Sequence, residues 1–283
     1  MLLRYWVVAT LCVLPLRAFG SDQTFTFKSH GKEVKKLSLD SLQKVVSPEK
    51  VRVDDPSAKE QVTYEALQFQ KILNSVYGDA WKRAEELLFT CADGYQPSIP
   101  SRVFQDYDAF LALKKESGDF SIINRHHGGE RVELGPFYMV WNNLKQPKVK
   151  NEGVSIWPYQ IVSVDLVSFA ERFPNMAPPS ASSRSAKRGF LAFRKQCMPC
   201  HSMNGEGGAR GVELNYPVNV TQYFKMDWLK RWIDDPRAIR FNTTMPAFIS
   251  DGGNRNDQIA DVIAYLKSME KKKVAPKAAG GSH

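Results

Sequence analysis

Residues 197–201 read Cys-Met-Pro-Cys-His, two thiols two residues apart with an imidazole directly after the second. Three donor groups within five residues constrain the surrounding chain strongly, because they must converge on one bound group or be shielded from oxidation. The sequence has 4 cysteines. Cys12 lies inside an apolar leader, which leaves Cys91, Cys197 and Cys200. A secreted chain of 283 residues that relied on disulfides would carry a larger, even set. A zinc site would need two more ligands, and the candidates, Cys91 and His126-His127, stand far upstream. A thioredoxin-type pair should follow a strand and open a helix, whereas this one follows a stretch with helical spacing.

The five residues match C-x-x-C-H, the attachment signature of haem c. Two thiols add across the two vinyl groups of a porphyrin, and two intervening residues set the sulfurs that far apart. His201 then lies beneath the iron and can donate a ring nitrogen to it. Thioether formation needs reduced thiols on the export side of a membrane, and the N-terminus agrees with export. Arg4 precedes a short apolar run, Trp6 to Leu16, and Ala18-Phe19-Gly20 offers small residues for signal cleavage before Ser21. Residues 1–20 are therefore expected to be a signal peptide, and the mature protein to be soluble and periplasmic with no transmembrane segment.

The formal net charge of +9 is unevenly placed. Residues 181–283 hold 17 Lys and Arg against 9 Asp and Glu, while residues 21–180 hold 20 against 21. A basic C-terminal part can steer a redox partner with an acidic docking face; nucleic acid is not an expected partner. The tail of residues 271–283, with Lys271-Lys272-Lys273 and Lys277, reads as a solvated, flexible end.

Apolar residues make up 43% of the chain and charged residues 24%, a globular balance over a length that suits two domains. The boundary falls at Met176-Ala177-Pro178-Pro179-Ser180-Ala181-Ser182-Ser183, where Pro-Pro and small polar residues favour neither helix nor sheet. The expected plan is an α+β domain at 21–176, a linker at 177–184 and an all-α domain at 185–270. In the first domain, strands are expected at Thr24 to Lys28 (with a turn at Gly31), Leu87 to Thr90, Phe137 to Trp141 and Ile161 to Val167. Helices are expected at Val62 to Val76 and Asp106 to Leu113. The second domain should hold helices at Ser185 to Gln196, Asp227 to Asp234 and Asp257 to Lys267, with Phe190, Leu191 and Phe193 on one side of the first.

The C-terminal hundred residues resemble class I cytochromes c. Gly189 and Phe193 precede Cys197 by eight and four residues, and Val262-Ile263-Ala264-Tyr265-Leu266 is similar to the family's last helix. The resemblance implies a crossing of first and last helices at Gly189, with Phe193 and Tyr265 packed there. It also implies one covalently bound haem c with His201 and Met245 as axial ligands. Met245 follows His201 by 44 residues in a loop before the last helix, and its soft thioether favours Fe(II). Met203 stands too close to His201 for that role, Met226 is expected in the core, and Met269 ends the last helix. The family's Gly-Pro-x-Leu segment, whose Pro carbonyl orients the proximal His, has its nearest counterpart at Val212 to Pro217, with Pro217 as the candidate acceptor.

Thr90-Cys91-Ala92-Asp93-Gly94-Tyr95 and the following Pro97-Ser98-Ile99-Pro100 resemble the segment around the molybdenum-ligating cysteine of sulfite-oxidase-like molybdopterin domains. Leu134 to Trp141 and Trp157-Pro158-Tyr159-Gln160 fit such a domain loosely. Arg102, Arg125, Arg131, His126 and His127 are the candidates for pterin phosphate contacts. Two functions follow. The first is an electron-transfer protein, rather than an enzyme in its own right, whose N-terminal domain docks a partner or ligand. The alternative is an oxidoreductase that oxidises a small periplasmic substrate at a Cys91 molybdopterin site, with the haem as electron exit. A buried structural thiol is the plain reading of Cys91.

Overall fold

The computed structural model describes residues 23–124, 129–153 and 157–276. The leader, the Arg125-His126-His127 group and the tail from Lys277 lie outside them. The N-terminal part is a mixed, sheet-rich α+β unit. β1 (Thr24–Ser29) and β2 (Lys32–Ser38) form a hairpin that turns at His30 and Gly31, the latter at φ +78°, and α1 (Leu39–Val45) follows under a Ser38 cap. β3 (Glu49–Asp55) and β4 (Glu60–Gln68) form a second hairpin, succeeded by α2 (Phe69–Tyr77) and α3 (Ala80–Arg83). Next come β5 (Glu86–Cys91), β6 (Ser98–Pro100), α4 (Ser101–Asp106), β7 (Ala109–Lys115), β8 (Ser121–Asn124), β9 (Glu130–Glu133), β10 (Tyr138–Trp141), β11 (Ile161–Val167) and α5 (Phe169–Arg172).

These strands build a five-stranded sheet in the order β2-β1-β11-β5-β6 and a four-stranded one in the order β10-β7-β4-β3, with β8 and β9 paired separately. β1 runs parallel to β11, and the other pairings are antiparallel. Phe25 and Phe27 of β1, Phe89 of β5, Val164 of β11, Leu67 of β4 and Leu111 of β7 share one core with Phe69 and Ile72 of α2. The other face of the four-stranded sheet buries Val53, Tyr64, Ala66, Phe110, Ala112 and Tyr138 in a second cluster.

Two expected helices are corrected. Val62 to Gln68 is strand, and only Phe69 onward is helical. Leu67, Ile72 and Val76 have helical spacing because they straddle the junction, whereas Tyr64 and Ala66 follow strand alternation. The helix expected at Asp106 to Leu113 ends at Asp106, and β7 begins at Ala109. Residues 109–112 are buried on both faces of a central strand, so their continuous apolar run shows no alternation.

The C-terminal part is the helical domain. α6 (Arg184–Gln196) leads to a short hairpin of β12 (Ser202–Met203) and β13 (Glu206–Gly207), then α7 (Val220–Tyr223), α8 (Met226–Asp234) and α9 (Arg255–Met269). α6 crosses α9 at Gly189, where a Cβ would stand 1.8 Å from the Asp261 carbonyl oxygen. Phe193 and Tyr265 pack at that crossing with ring centroids 5.0 Å apart. Asp261 accepts from the Arg188 Nε at 2.6 Å and the Ser185 Oγ at 2.6 Å, closing the polar side of the contact. Leu191, grouped with Phe190 and Phe193 on one side of the helix, is 62% exposed, because α6 turns only Ala186, Gly189 and Phe193 fully inside. Met226, expected in the core, is 37% exposed at the start of α8.

Val167, Phe169, Phe173 and Met176, upstream of Pro178-Pro179, pack into the helical core, and the Tyr265 hydroxyl donates to the Met176 carbonyl at 2.7 Å. The two units therefore meet over a continuous surface. Among the described residues no helix is long and apolar enough to cross a membrane.

Candidate functional site

α6 delivers the Cys-x-x-Cys-His loop. Its last turn ends with the Cys197 N–H on the Phe193 carbonyl, and the Cys200 and His201 N–H groups both donate back to the Cys197 carbonyl, at 3.0 and 2.8 Å. This tight turn sends both thiols and the imidazole to neighbouring positions. Burial pushes the Cys197 thiol up to about 12, with the neighbouring Cys200 adding to it. Burial likewise pushes Cys200 up to about 11, against the opposing field of Arg210. Both thiols are thus neutral and poor disulfide formers at neutral pH.

His201 is held from behind. Its Nδ1 lies 2.8 Å from the Val212 carbonyl, and since only N–H can donate there, the tautomer is assigned with Nε2 free as a ligand atom. Burial lowers the imidazole's pKa, more than the Val212 carbonyl and Glu213 raise it, so the ring is neutral. Gly211 makes this approach possible, because a Cβ there would lie 2.6 Å from both Cε1 and Nδ1 of the ring. The orienting carbonyl is that of Val212, not the expected Pro217, whose own carbonyl accepts from Lys273. Gly211-Val212-Glu213-Leu214 keeps the Gly-x-x-Leu spacing with Val in place of Pro, a signal hidden by searching for Pro.

The Glu213 carboxylate accepts from the N–H groups of Asn204, Gly205, Asn215 and Tyr216 at 2.8, 2.8, 2.8 and 3.1 Å. It thereby ties the chain on either side of Val212 to the turn after β12. Burial alone would raise its pKa; the N–H groups and the Ser202 side chain outweigh that and hold it below the usual carboxylate range.

Met245 lies on the loop between α8 and α9. Its thioether sulfur accepts from Trp232 Nε1 at 3.1 Å. Gln196, directly before Cys197, fixes the same loop by a two-way exchange with Ile249, at 2.8 and 2.9 Å. Two neutral thiols, an imidazole with a free Nε2 and a positioned thioether fit the donor set of a haem c.

Cys91 ends β5 at the junction of the two units. The Gln96 N–H donates to the Pro199 carbonyl at 2.7 Å, the Ala209 N–H donates to the Gly94 carbonyl at 2.9 Å, and Asp93 pairs with Arg210 at 3.2 Å. The loop after Cys91 is thus clasped to the Cys-x-x-Cys-His turn, which nothing in the separate motifs announces. Cys91 itself is 3% exposed inside the aromatic core, and burial pushes its thiol far above the usual thiol range. Arg102 pairs with Glu152, and Arg131 with Asp119 and Glu133, all at the surface. Arg102 and Arg131 therefore do not converge on Cys91. Arg125, His126 and His127 lie outside the described residues. Among the described residues no three His, Cys, Asp or Glu cluster as a metal site.

Residues 186–270 match the family described as Cytochrome c. This part of the chain is a cytochrome c domain, joined to a sheet-rich α+β unit. Such a domain implies a covalently bound haem c and haem-based electron transfer. No curated protein matches the chain.

Proposed function

We propose that the protein is an exported, periplasmic monohaem cytochrome. Cys197 and Cys200 carry the haem as thioethers, and His201 and Met245 are its axial ligands. The observation that carries this reading is the His201 cradle: the neutral imidazole, the Val212 carbonyl on Nδ1 and the Gly211 opening leave one nitrogen free for iron. Bound there, the haem supplies a one-electron Fe(III)/Fe(II) couple. The protein's part is to hold that couple still. The Val212 carbonyl fixes the tautomer and the ring plane of His201. Trp232 fixes the direction of the Met245 sulfur, and the second sulfur lone pair stays available. The raised pKa of both thiols slows their oxidation before attachment.

The α+β unit is read as a docking or ligand-binding domain, and the basic surface of the helical domain as the face for an acidic redox partner. The test is expression in a host that matures c-type haems, followed by denaturing electrophoresis with haem staining and a pyridine haemochrome titration. The expected result is one haem per chain that survives denaturation and is lost in a Cys197→Ser, Cys200→Ser double variant. A chain that retains no haem after denaturation overturns the proposal.

A further inference from the structure

The contact between the two units reaches the Cys-x-x-Cys-His turn, and the ion pair that follows that turn is Asp93 with Arg210. Arg210 belongs to the helical domain. It stands between Ala209, whose N–H is bonded to the Gly94 carbonyl, and Gly211, whose N–H donates to the Cys200 carbonyl at 2.6 Å and whose Cα faces the His201 ring. Its Nη1 lies 3.2 Å from Oδ2 of Asp93 and 3.4 Å from the Tyr159 hydroxyl, both contributed by the α+β unit. The pair is largely shielded, with 23% of the Arg210 side chain and 28% of the Asp93 side chain exposed. Gly94 is needed for the clasp: it adopts φ +85°, and a Cβ there would press on Ala209 at 3.2 Å. The arrangement is more specific than a surface bridge, because backbone bonds on both sides fix where the two charges sit.

We propose that the α+β unit sets the reduction potential of the haem through this pair, with Asp93 cancelling the positive field of Arg210 at the attachment turn. This rests on the haem reading above. An Fe(III) haem carries one more positive charge than an Fe(II) haem, so a nearby cation favours reduction and a nearby anion opposes it. Asp93→Asn leaves Arg210 uncancelled and raises the potential. Arg210→Gln leaves Asp93 uncancelled and lowers it. The double variant, which removes both charges, returns towards the wild-type value. The single shifts grow at low ionic strength, since a partly exposed charge is screened by salt. Any ligand or partner that draws Asp93 away from Arg210 would then make the haem a better electron acceptor.

The experiment is a mediated spectroelectrochemical titration of the full-length, haem-loaded protein and these three variants at two salt concentrations. Opposite signs for the single variants, with near-cancellation in the double, support the proposal. A packing role would move all three in one direction, and that outcome, or no movement, overturns it. Where Arg210→Gln retains no haem, the comparison of Asp93→Asn with Asp93→Glu decides: a raised potential in the first and a restored one in the second are required. A wild-type chain without covalent haem overturns the parent reading and this one together, whereas loaded variants with unmoved potentials overturn this one alone.

Discussion

The crossing of α6 and α9 offers a test in which two known effects oppose each other. Replacing Gly189 by Ala in an exposed helix would stabilise the protein by about 1 kcal/mol through helix propensity. Here the new Cβ would lie 1.8 Å from the Asp261 carbonyl oxygen, 2.3 Å from its carbon and 2.8 Å from the Val262 nitrogen. All three are backbone atoms, so no side chain can swing away. Ordinary contact at 3.4 Å requires the helices to part by about 1.6 Å. A gap of even about 0.5–1 Å forfeits a quarter to a half of each dispersion well, and Phe190, Phe193, Val262, Tyr265 and Leu266 all lie along this seam. Overpacking a core costs about 1–3 kcal/mol in general, and a backbone-to-backbone clash belongs at or above the upper end. We expect Gly189→Ala to lose about 2 kcal/mol net, and Gly189→Val more. Urea denaturation of the full chain, followed by far-ultraviolet circular dichroism and by Trp fluorescence, measures it. A Gly189→Ala variant as stable as the wild type, or more so, would refute the close crossing.

Four further outcomes follow from the site. Gly211→Ala drives a methyl into the His201 ring and should lower haem retention while costing about 1–3 kcal/mol of stability; unchanged haem stoichiometry and melting temperature would contradict the cradle. Glu213→Gln weakens four N–H bonds to a carboxylate and should cost about 1.5–3 kcal/mol at neutral pH. Its folded-state pKa is depressed, so its contribution is present above the unfolded value of 4.5 and disappears as pH falls through the folded one; melting curves against pH should therefore flatten in the variant on the acid side. Trp232→Phe removes the donor to the Met245 sulfur, worth about 0.5–1.5 kcal/mol, and should let exogenous imidazole compete for the iron about two- to tenfold better by optical titration. Met245→Ala should abolish thioether ligation in the absorption spectrum and lower the potential, and an unaltered spectrum would remove Met245 from the iron.

Much of the helical domain was legible because its constraints are local. The Cys-x-x-Cys-His spacing is set by the porphyrin it must span, and Gly189, Phe193 and Tyr265 meet at the crossing that the resemblance to cytochromes c implied. The orienting carbonyl was harder to see, since any residue supplies one. Only the chain path through Gly211 decides that Val212, rather than Pro217, meets His201. In the α+β unit, periodicity failed where it carries least information. A central strand buried on both faces has no alternation, so Ala109 to Ala112 was open to either reading, and the strand-to-helix junction at Gln68 blended two patterns into one. The Trp232 contact to Met245 joins residues 13 apart across a loop, and no periodic rule reaches it.

Why the α+β unit adjoins this particular face follows from what the helical domain leaves open. The turn that carries Cys197, Cys200 and His201 uses its N–H groups internally, but the Pro199 carbonyl points outward and is 2.7 Å from the Gln96 N–H. Gly208 must pass beneath that same residue, since a Cβ there would stand 2.1 Å from the Pro199 oxygen. A bare helical domain would expose this polar backbone beside a group whose potential depends on local charge and solvent access. The clasp from Gly94 and Gln96 covers it, and a second tie, Arg194 of α6 on the buried Glu86 of β5 at 2.5 Å, lies three residues before Cys197. Both ties end on β5 or on the loop that follows it. The strand that ends at Cys91, with the loop after it, is therefore a main line of contact between the sheet-rich unit and the Cys-x-x-Cys-His turn. A change in that unit that shifts β5 would be felt directly at the Arg194–Glu86 pair and, through the loop after Cys91, at the Asp93–Arg210 pair.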